Sequence, residues 1–241
     1  MEVNTPHISI KAEPLFHILG FTVTNSLLTS WIVMALLVLI TYLYNKKKGP
    51  VYYVVDMLLR ALYGLFQPIF GEKITVFFPL AVTFFLYILT LNWFGLLPGI
   101  NTIGFKEGNT ITPFLRGGTA DLNTTFAMSI IAMVLVQYFG IRYLGAREYL
   151  GKFFNLTNPV KAFVGILELI SQFSSVLSFS FRLFGNIFAG EVLMTVVSFL
   201  IPVLASFPFL VFEFFVGFIQ ALVFSMLTSI FISVAIAHEE H

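Results

Sequence analysis

The sequence predicts an all-α polytopic membrane protein. It has five membrane-crossing segments and one interfacial amphipathic helix, and the last two helices are long, strongly tilted and form a hairpin. Three observations predict it. First, 58% of the 241 residues are hydrophobic and only 10% are charged, more apolar surface than a soluble core uses. Second, apolar runs of spanning length recur along the chain between Gly/Pro breaks and basic clusters. Third, Arg182 is the single lysine or arginine between Ala162 and Ala237, a stretch that also holds Glu168, Glu191 and Glu213. The chain therefore reads as one membrane domain over residues 1–241.

Residues 1–25 form an external N-terminal tail, polar to about Thr24, and no cleaved signal peptide is expected. The first span covers 26–44 and ends in Tyr42, Tyr44 and the run Lys46-Lys47-Lys48. Aromatic residues mark the interface and the lysines mark the cytoplasmic side. Gly49-Pro50 breaks the helix. Residues 51–70 mix apolar side chains with Asp56, Arg60 and Gln67, too polar to span, and suit a helix lying in the interface. The second span covers 75–97 and is closed by Pro98-Gly99. A Gly-, Thr- and Asn-rich outer loop runs to Asp121.

The third span covers 122–143 and returns inward. The loop beyond it holds Arg142, Arg147, Lys152 and Lys161 against Glu148, a second basic cluster on the side the first one requires. From 159 to 200 only scattered glycines interrupt the helical pattern. That length is roughly 60 Å of helix, about twice the hydrocarbon thickness, so the segment must tilt, lie flat or break. Pro202 and Pro208 bracket a turn, and the final long helix covers 209–237. The C-terminus is placed in the cytoplasm.

The charges narrow the function. A guanidinium keeps its proton at any reachable pH. Near the bilayer centre its charge costs from about 3 to more than 10 kcal/mol. A water-filled path, an acidic partner or both must offset that cost. On one helix Glu168 and Arg182 lie about 40° apart, Asn186 shares the face of Arg182, and Glu191 points about 180° away. Folding straight antiparallel helices about Pro202 sets Gln220 level with Arg182 and Glu191 level with Glu213. Two carboxyls that close in low dielectric could hardly both ionise, so a shared or exchangeable proton is expected.

The run Ser178-Phe-Ser-Phe-Arg182-Leu-Phe-Gly-Asn186-Ile-Phe-Ala-Gly190-Glu191 resembles the signature helix of subunit a of the F-type ATP synthase. Thr119-Ala-Asp121-Leu-Asn123-Thr-Thr, Asn92-Trp-Phe-Gly-Leu-Leu-Pro98 and Gln220-Ala-Leu-Val-Phe-Ser-Met-Leu-Thr are similar to other motifs of that family. The likeness covers about Phe77 to the end, and hydropathy extends it to the N-terminus. It implies a stator subunit with two offset half-channels that carry protons to and from a rotating c-subunit ring. Arg182 would face the ring carboxylate and separate the channels. Asn186, Glu191, Glu213 and Gln220 would line the outer half-channel, and Glu168 the inner one, with Ser171 and Ser175 as further candidates there. The implied partners are the c ring, peripheral-stalk b subunits, the rest of the complex and the bilayer. The implied place is an energy-transducing membrane, the bacterial plasma membrane. Two positions depart from the family: some members have histidine at Glu213, and many have Lys-Pro where this chain has Ser175-Val176.

Plainer roles stand beside these. Asn186 and Gln220 suit ordinary hydrogen bonds between helices, and Glu168 could be an interfacial acid reaching for water. Asp121 and Asn123 stand where a helix is capped. Gly185 and Gly190 permit close helix approach, and Arg116 reads as a solvated loop charge. A secondary ion transporter with a buried Arg/Glu site is the alternative function, although no internal repeat is found. No histidine lies between His17 and His238, which argues against an intramembrane hydrolase. His238 and His241 are not at zinc-helix spacing, so no metal or other cofactor is expected. There is no phosphate-binding loop motif, hence no catalytic site for ATP in this chain. Absence of cysteine excludes thiol chemistry, and a net charge of +1 argues against nucleic acid.

Overall fold

The computed structural model describes residues 12–18, 20–97, 104–107, 110–153, 159–200 and 206–237. The turn expected around Pro202 and the His-Glu-Glu-His tail lie outside the described residues, as does the N-terminal tail to residue 11. Five helical stretches are long and apolar enough to cross a membrane.

Strands β1 (Pro14–Ile18) and β2 (Phe21–Thr24) pair antiparallel before the first helix. Thr24 then caps α1 (Asn25–Asn45), its Oγ1 accepting the Leu27 N–H at 3.3 Å. The hydroxyl satisfies one of the first-turn donors that a helix cannot pair internally. The polar first turns of α1 are not solvated. Asn25, Ser26, Thr29 and Ser30 are all buried, and they face the loop before α4.

Pro50 opens α2 (Pro50–Phe70), where its missing N–H costs nothing. The buried residues of α2 are Leu62, Phe66 and Phe70, one side of one helix at a spacing of four. On its other surface Arg60 pairs with Asp56 at 2.8 Å. Tyr44 of α1 stacks on Tyr52 and its hydroxyl donates to Asp56 at 3.4 Å, joining the two helices at the basic end of the molecule. A tight turn at Gly71, with φ +53°, leads into α3 (Ile74–Gly95). Phe70 stacks on Phe77 across that turn at 5.2 Å.

α3 is the centre of the bundle. Phe77, Phe85, Ile88 and Leu91 have no exposed surface. It packs along the last helix, α7 (Ser206–Ala235), through Phe84 on Phe224 and Phe85 on Phe218. At the far end Asn92 Nδ2 donates to Gly217 O at 2.9 Å, and Trp93 Nε1 donates to Phe214 O at 3.0 Å. Small residues and interhelical polar contacts do this work because lipid tails give apolar helix faces no net reason to leave them.

Two features of the outer segments differ from the sequence reading. The loop before α4 contains a second antiparallel hairpin, β3 (Gly104–Glu107) with β4 (Thr110–Pro113). Pro208 does not end a turn but lies in the first turn of α7, where the helix needs no N–H from it.

α4 (Leu122–Leu144) is capped by Asp121, whose carboxylate accepts the Asn123 N–H at 3.3 Å. A short helix α5 (Ala146–Gly151) follows, with the Tyr149 ring laid against Gly140. α6 (Pro159–Leu200) is one continuous 42-residue helix, roughly 63 Å long at 1.5 Å per residue. Little of it is buried. Phe179, Leu183, Ile187 and Gly190 form one inward stripe against α4 and α7. The outward face carries Val160, Phe163, Val164, Ile170, Phe173 and Phe181, all exposed.

Candidate functional site

Arg182 sits in the middle of α6, beside the inward stripe and not within it. Its Nη2 donates to Ser178 Oγ at 3.3 Å, one turn back, and its guanidinium lies 5.9 Å from the Phe179 ring centroid. The side chain is exposed on the helix surface. Among the described residues no carboxylate lies within ion-pair distance of it. An exposed, uncompensated cation amid exposed apolar side chains is the least expected arrangement for a membrane helix.

One turn further, Asn186 Nδ2 donates to Gln220 Oε1 at 2.7 Å, bridging α6 and α7. Gln220 is buried. Folding straight helices about Pro202 aligned Gln220 with Arg182; the real pair meets one turn along, because tilted helices do not keep the register of parallel rods.

The next turn holds Gly190 and Glu213. The carboxyl of Glu213 occupies the space that a Cβ on residue 190 would fill. Gly190 therefore admits the acid to the helix surface, and Glu213 is 4% exposed there. Its neighbour Glu191 is turned elsewhere. Glu191 Oε2 accepts from Arg116 Nη2 at 3.1 Å. The expected acid–acid level is thus split: the two carboxyls flank one turn of α6, and one of them faces a guanidinium.

Arg116 overturns the reading of a solvated loop charge. It is 5% exposed. The loop that carries it is fastened to two helices. The Arg116 N–H donates to Thr29 Oγ1 at 3.3 Å, and Ser26 Oγ donates to Gly118 O at 3.1 Å, both on α1. Thr119 Oγ1 donates to Asn92 Oδ1 of α3 at 2.7 Å. Gly117 and Gly95 bring their backbones together, a Cβ on residue 95 falling 2.7 Å from the Gly117 Cα. The buried polar turns of α1 have their explanation here: they anchor the loop that delivers Arg116.

At the other end of α6 the expected residues are Glu168, Ser171 and Ser175. Ser175 Oγ donates to Ser171 O at 2.9 Å, within the helix. Glu168 ends a chain the sequence reading missed. Tyr149 O–H donates to Gln137 Oε1 at 2.8 Å, Gln137 Nε2 to Gln172 Oε1 at 3.1 Å, and Gln172 Nε2 to Glu168 Oε1 at 2.9 Å. A carboxylate accepts only, so it sets the direction of every bond in the row. Burial, with the nearby Glu168 charge adding to it, pushes the Tyr149 phenol above its ordinary value, so it stays a donor. Gln172 stands four residues from Glu168, so the i, i+4 spacing of two polar residues was the available signal.

An interrupted row of charged and amide side chains across an apolar helix bundle defines an integral membrane protein built to handle ions. Comparison with known proteins makes this specific. The family described as ATP synthase A chain matches residues 27–233, and the chain belongs to that family. It is 34% identical to ATP synthase subunit a of Desulforamulus reducens, covering 99% of this chain and 90% of that one. It is 32% identical to ATP synthase subunit a of Moorella thermoacetica, covering 93% and 96%. The protein of the same name from Gloeobacter violaceus is 36% identical, covering 90% and 86%.

Proposed function

We propose that the chain is the stator of a rotary ATP synthase and supplies two offset proton routes to a turning c-subunit ring, with Arg182 between them. The observation that carries the reading is Arg182 on the exposed face of α6, with no carboxylate at ion-pair distance among the described residues. A permanent cation held there calls for an anion, and the ring carboxylate supplies it. The apolar outward face of α6 is the surface that the ring covers.

The outer route is lined by Glu191, Glu213, Asn186 and Gln220, beside the loop of Arg116. The inner route starts at Glu168, with Ser171, Ser175 and the Gln172 amide beside it. A carboxyl protonated from one route turns with the ring through lipid in its neutral form. It releases its proton to the other route and reaches Arg182 as an anion. The guanidinium favours that ionised form, and it cannot accept a proton, so no proton passes directly between the routes.

Lys46, Lys47, Lys48, Arg142, Arg147, Lys152 and Lys161 set the orientation. They favour the cytoplasm, which puts the N-terminus outside and the C-terminus inside. The membrane is then the bacterial plasma membrane, in line with the three named relatives, each from a bacterium. ATP chemistry belongs to the other subunits, and peripheral-stalk b subunits hold this one against the torque.

Cysteine cross-linking tests the ring-facing surface cleanly, since the chain has no cysteine of its own. Ser171 and Ala189 are both exposed and lie on the same side of α6 as Arg182. Ser171→Cys and Ala189→Cys are expected to form disulfides with cysteines placed along the ring's outer helix, within a reach of about 7 Å between Cα atoms. Leu183→Cys, on the buried stripe, is expected to form none. Cross-linking from Leu183→Cys but not from the other two would sink the assignment.

A further inference from the structure

We infer that Arg116 and Glu191 form a static ion pair that removes Glu191 from the acids exchanging protons and leaves Glu213 as the exchanging carboxyl of the outer route. The inference rests on the stator reading and sharpens it. Its starting point is geometric. The Arg116 and Glu191 side chains are 6% and 29% exposed and meet at 3.1 Å across a separation of 75 residues. Arg116 has no freedom to leave, because its loop is held by Thr29 and Ser26 on α1 and by Asn92 on α3.

Three ionisable groups lie at this level: Arg116 from the loop paired with Glu191 of α6, and Glu213 of α7 against Gly190, the residue before Glu191. Two acids turned into the same low-dielectric space would compete for one proton. A fixed guanidinium on one of them removes the competition. Glu191 and Arg116 then form a neutral unit whose charges are held in place. Glu213 is left as a nearly buried acid pressed against Gly190, with the Asn186–Gln220 bridge one turn further on toward Arg182. A group that passes protons must be able to hold and release them, and of the two acids Glu213 is the one without a cation on it. Arg116 is a positioning residue in this scheme.

The claim has a distinctive consequence: the ion pair can be replaced by a neutral pair, whereas Glu213 cannot be replaced. ATP-driven acidification of vesicles carrying the whole complex is measured for Arg116→Gln, Glu191→Gln, the double variant, Arg116→Lys and Glu213→Gln. The amount of assembled complex is scored by the membrane-bound head. Each single Gln variant leaves one charge uncompensated and is expected to cut pumping by roughly tenfold. The double variant recovers to within about threefold of wild type, a coupling expected of two groups in direct contact. Arg116→Lys retains pumping, and Glu213→Gln abolishes it. A double variant that fails to assemble, or that pumps no better than the worse single, overturns the inference, as does pumping by Glu213→Gln. Arg182→Ala in the same series separates the two levels of the argument. Wild-type pumping there would remove the stator reading itself, whereas its loss beside an inactive double variant removes only the static pair.

Discussion

Arg182→Ala is expected to lower ATP-driven proton pumping by roughly a thousandfold, below detection in vesicles, with the complex assembled and the released head hydrolysing ATP at the wild-type rate. The magnitude follows from the charge. At 4 Å and an effective dielectric near 20, a guanidinium and a carboxylate attract by about 4 kcal/mol, and each 1.4 kcal/mol is about a factor of ten. Without the cation, a ring carboxyl facing α6 is no longer held ionised, so it can take a proton from one route and give it to the other without the ring turning, and rotation no longer drives net pumping. Arg182→Lys restores the charge but not the flat five-donor fork or its reach, so it is expected to recover only a small part of the rate. Nothing else within the described chain can substitute, because the other basic residue of α6, Lys161, stands 21 residues away, roughly 30 Å along the helix.

Gly190→Ala is expected to lower pumping about tenfold or more while leaving the chain at least as stable as wild type. The two effects have opposite signs for separate reasons. In a helix interior alanine is favoured over glycine by about 1 kcal/mol. The new methyl, however, takes the space held by the Glu213 carboxyl. The acid is at the end of a flexible side chain, so it moves aside and the helices stay packed. A displacement near 1 Å in a group that must meet a proton donor can cost on the order of a hundredfold. Pumping by vesicles and thermal unfolding of the purified complex, measured on the same preparation, read the two effects separately. Unchanged pumping would mean that the position of Glu213 at Gly190 is immaterial.

Hydropathy made the helices legible because each must bury or expose a whole face to lipid, and that demand is written in consecutive residues. α6 runs the full 159–200 anticipated from the lack of breakers. Arg182 stood out for the same reason: a charge is conspicuous in an apolar run. What lay beyond reach involves partners distant in sequence. Arg116 looks ordinary among Gly, Thr and Asn, and only the fold brings it to Glu191. The same holds for Gln137 and Gln172, which meet across 35 residues. The β3–β4 hairpin was missed although Gly108-Asn109 is a two-residue turn signal, because strands of four residues carry too little periodicity to be seen. The register of α6 on α7 failed by one turn at Gln220, where helix crossing outweighs counting from the bend.

The separation of the two routes by Arg182 is tested most directly with the ring held still. In head-stripped vesicles whose ring is covalently cross-linked to this chain, an imposed pH gradient is followed by a trapped fluorescent dye. Wild type holds the gradient, since protons cross only by rotation. Arg182→Ala leaks, because the two routes then exchange protons through a shared ring carboxyl. A cross-linked Arg182→Ala complex as tight as wild type would contradict the account.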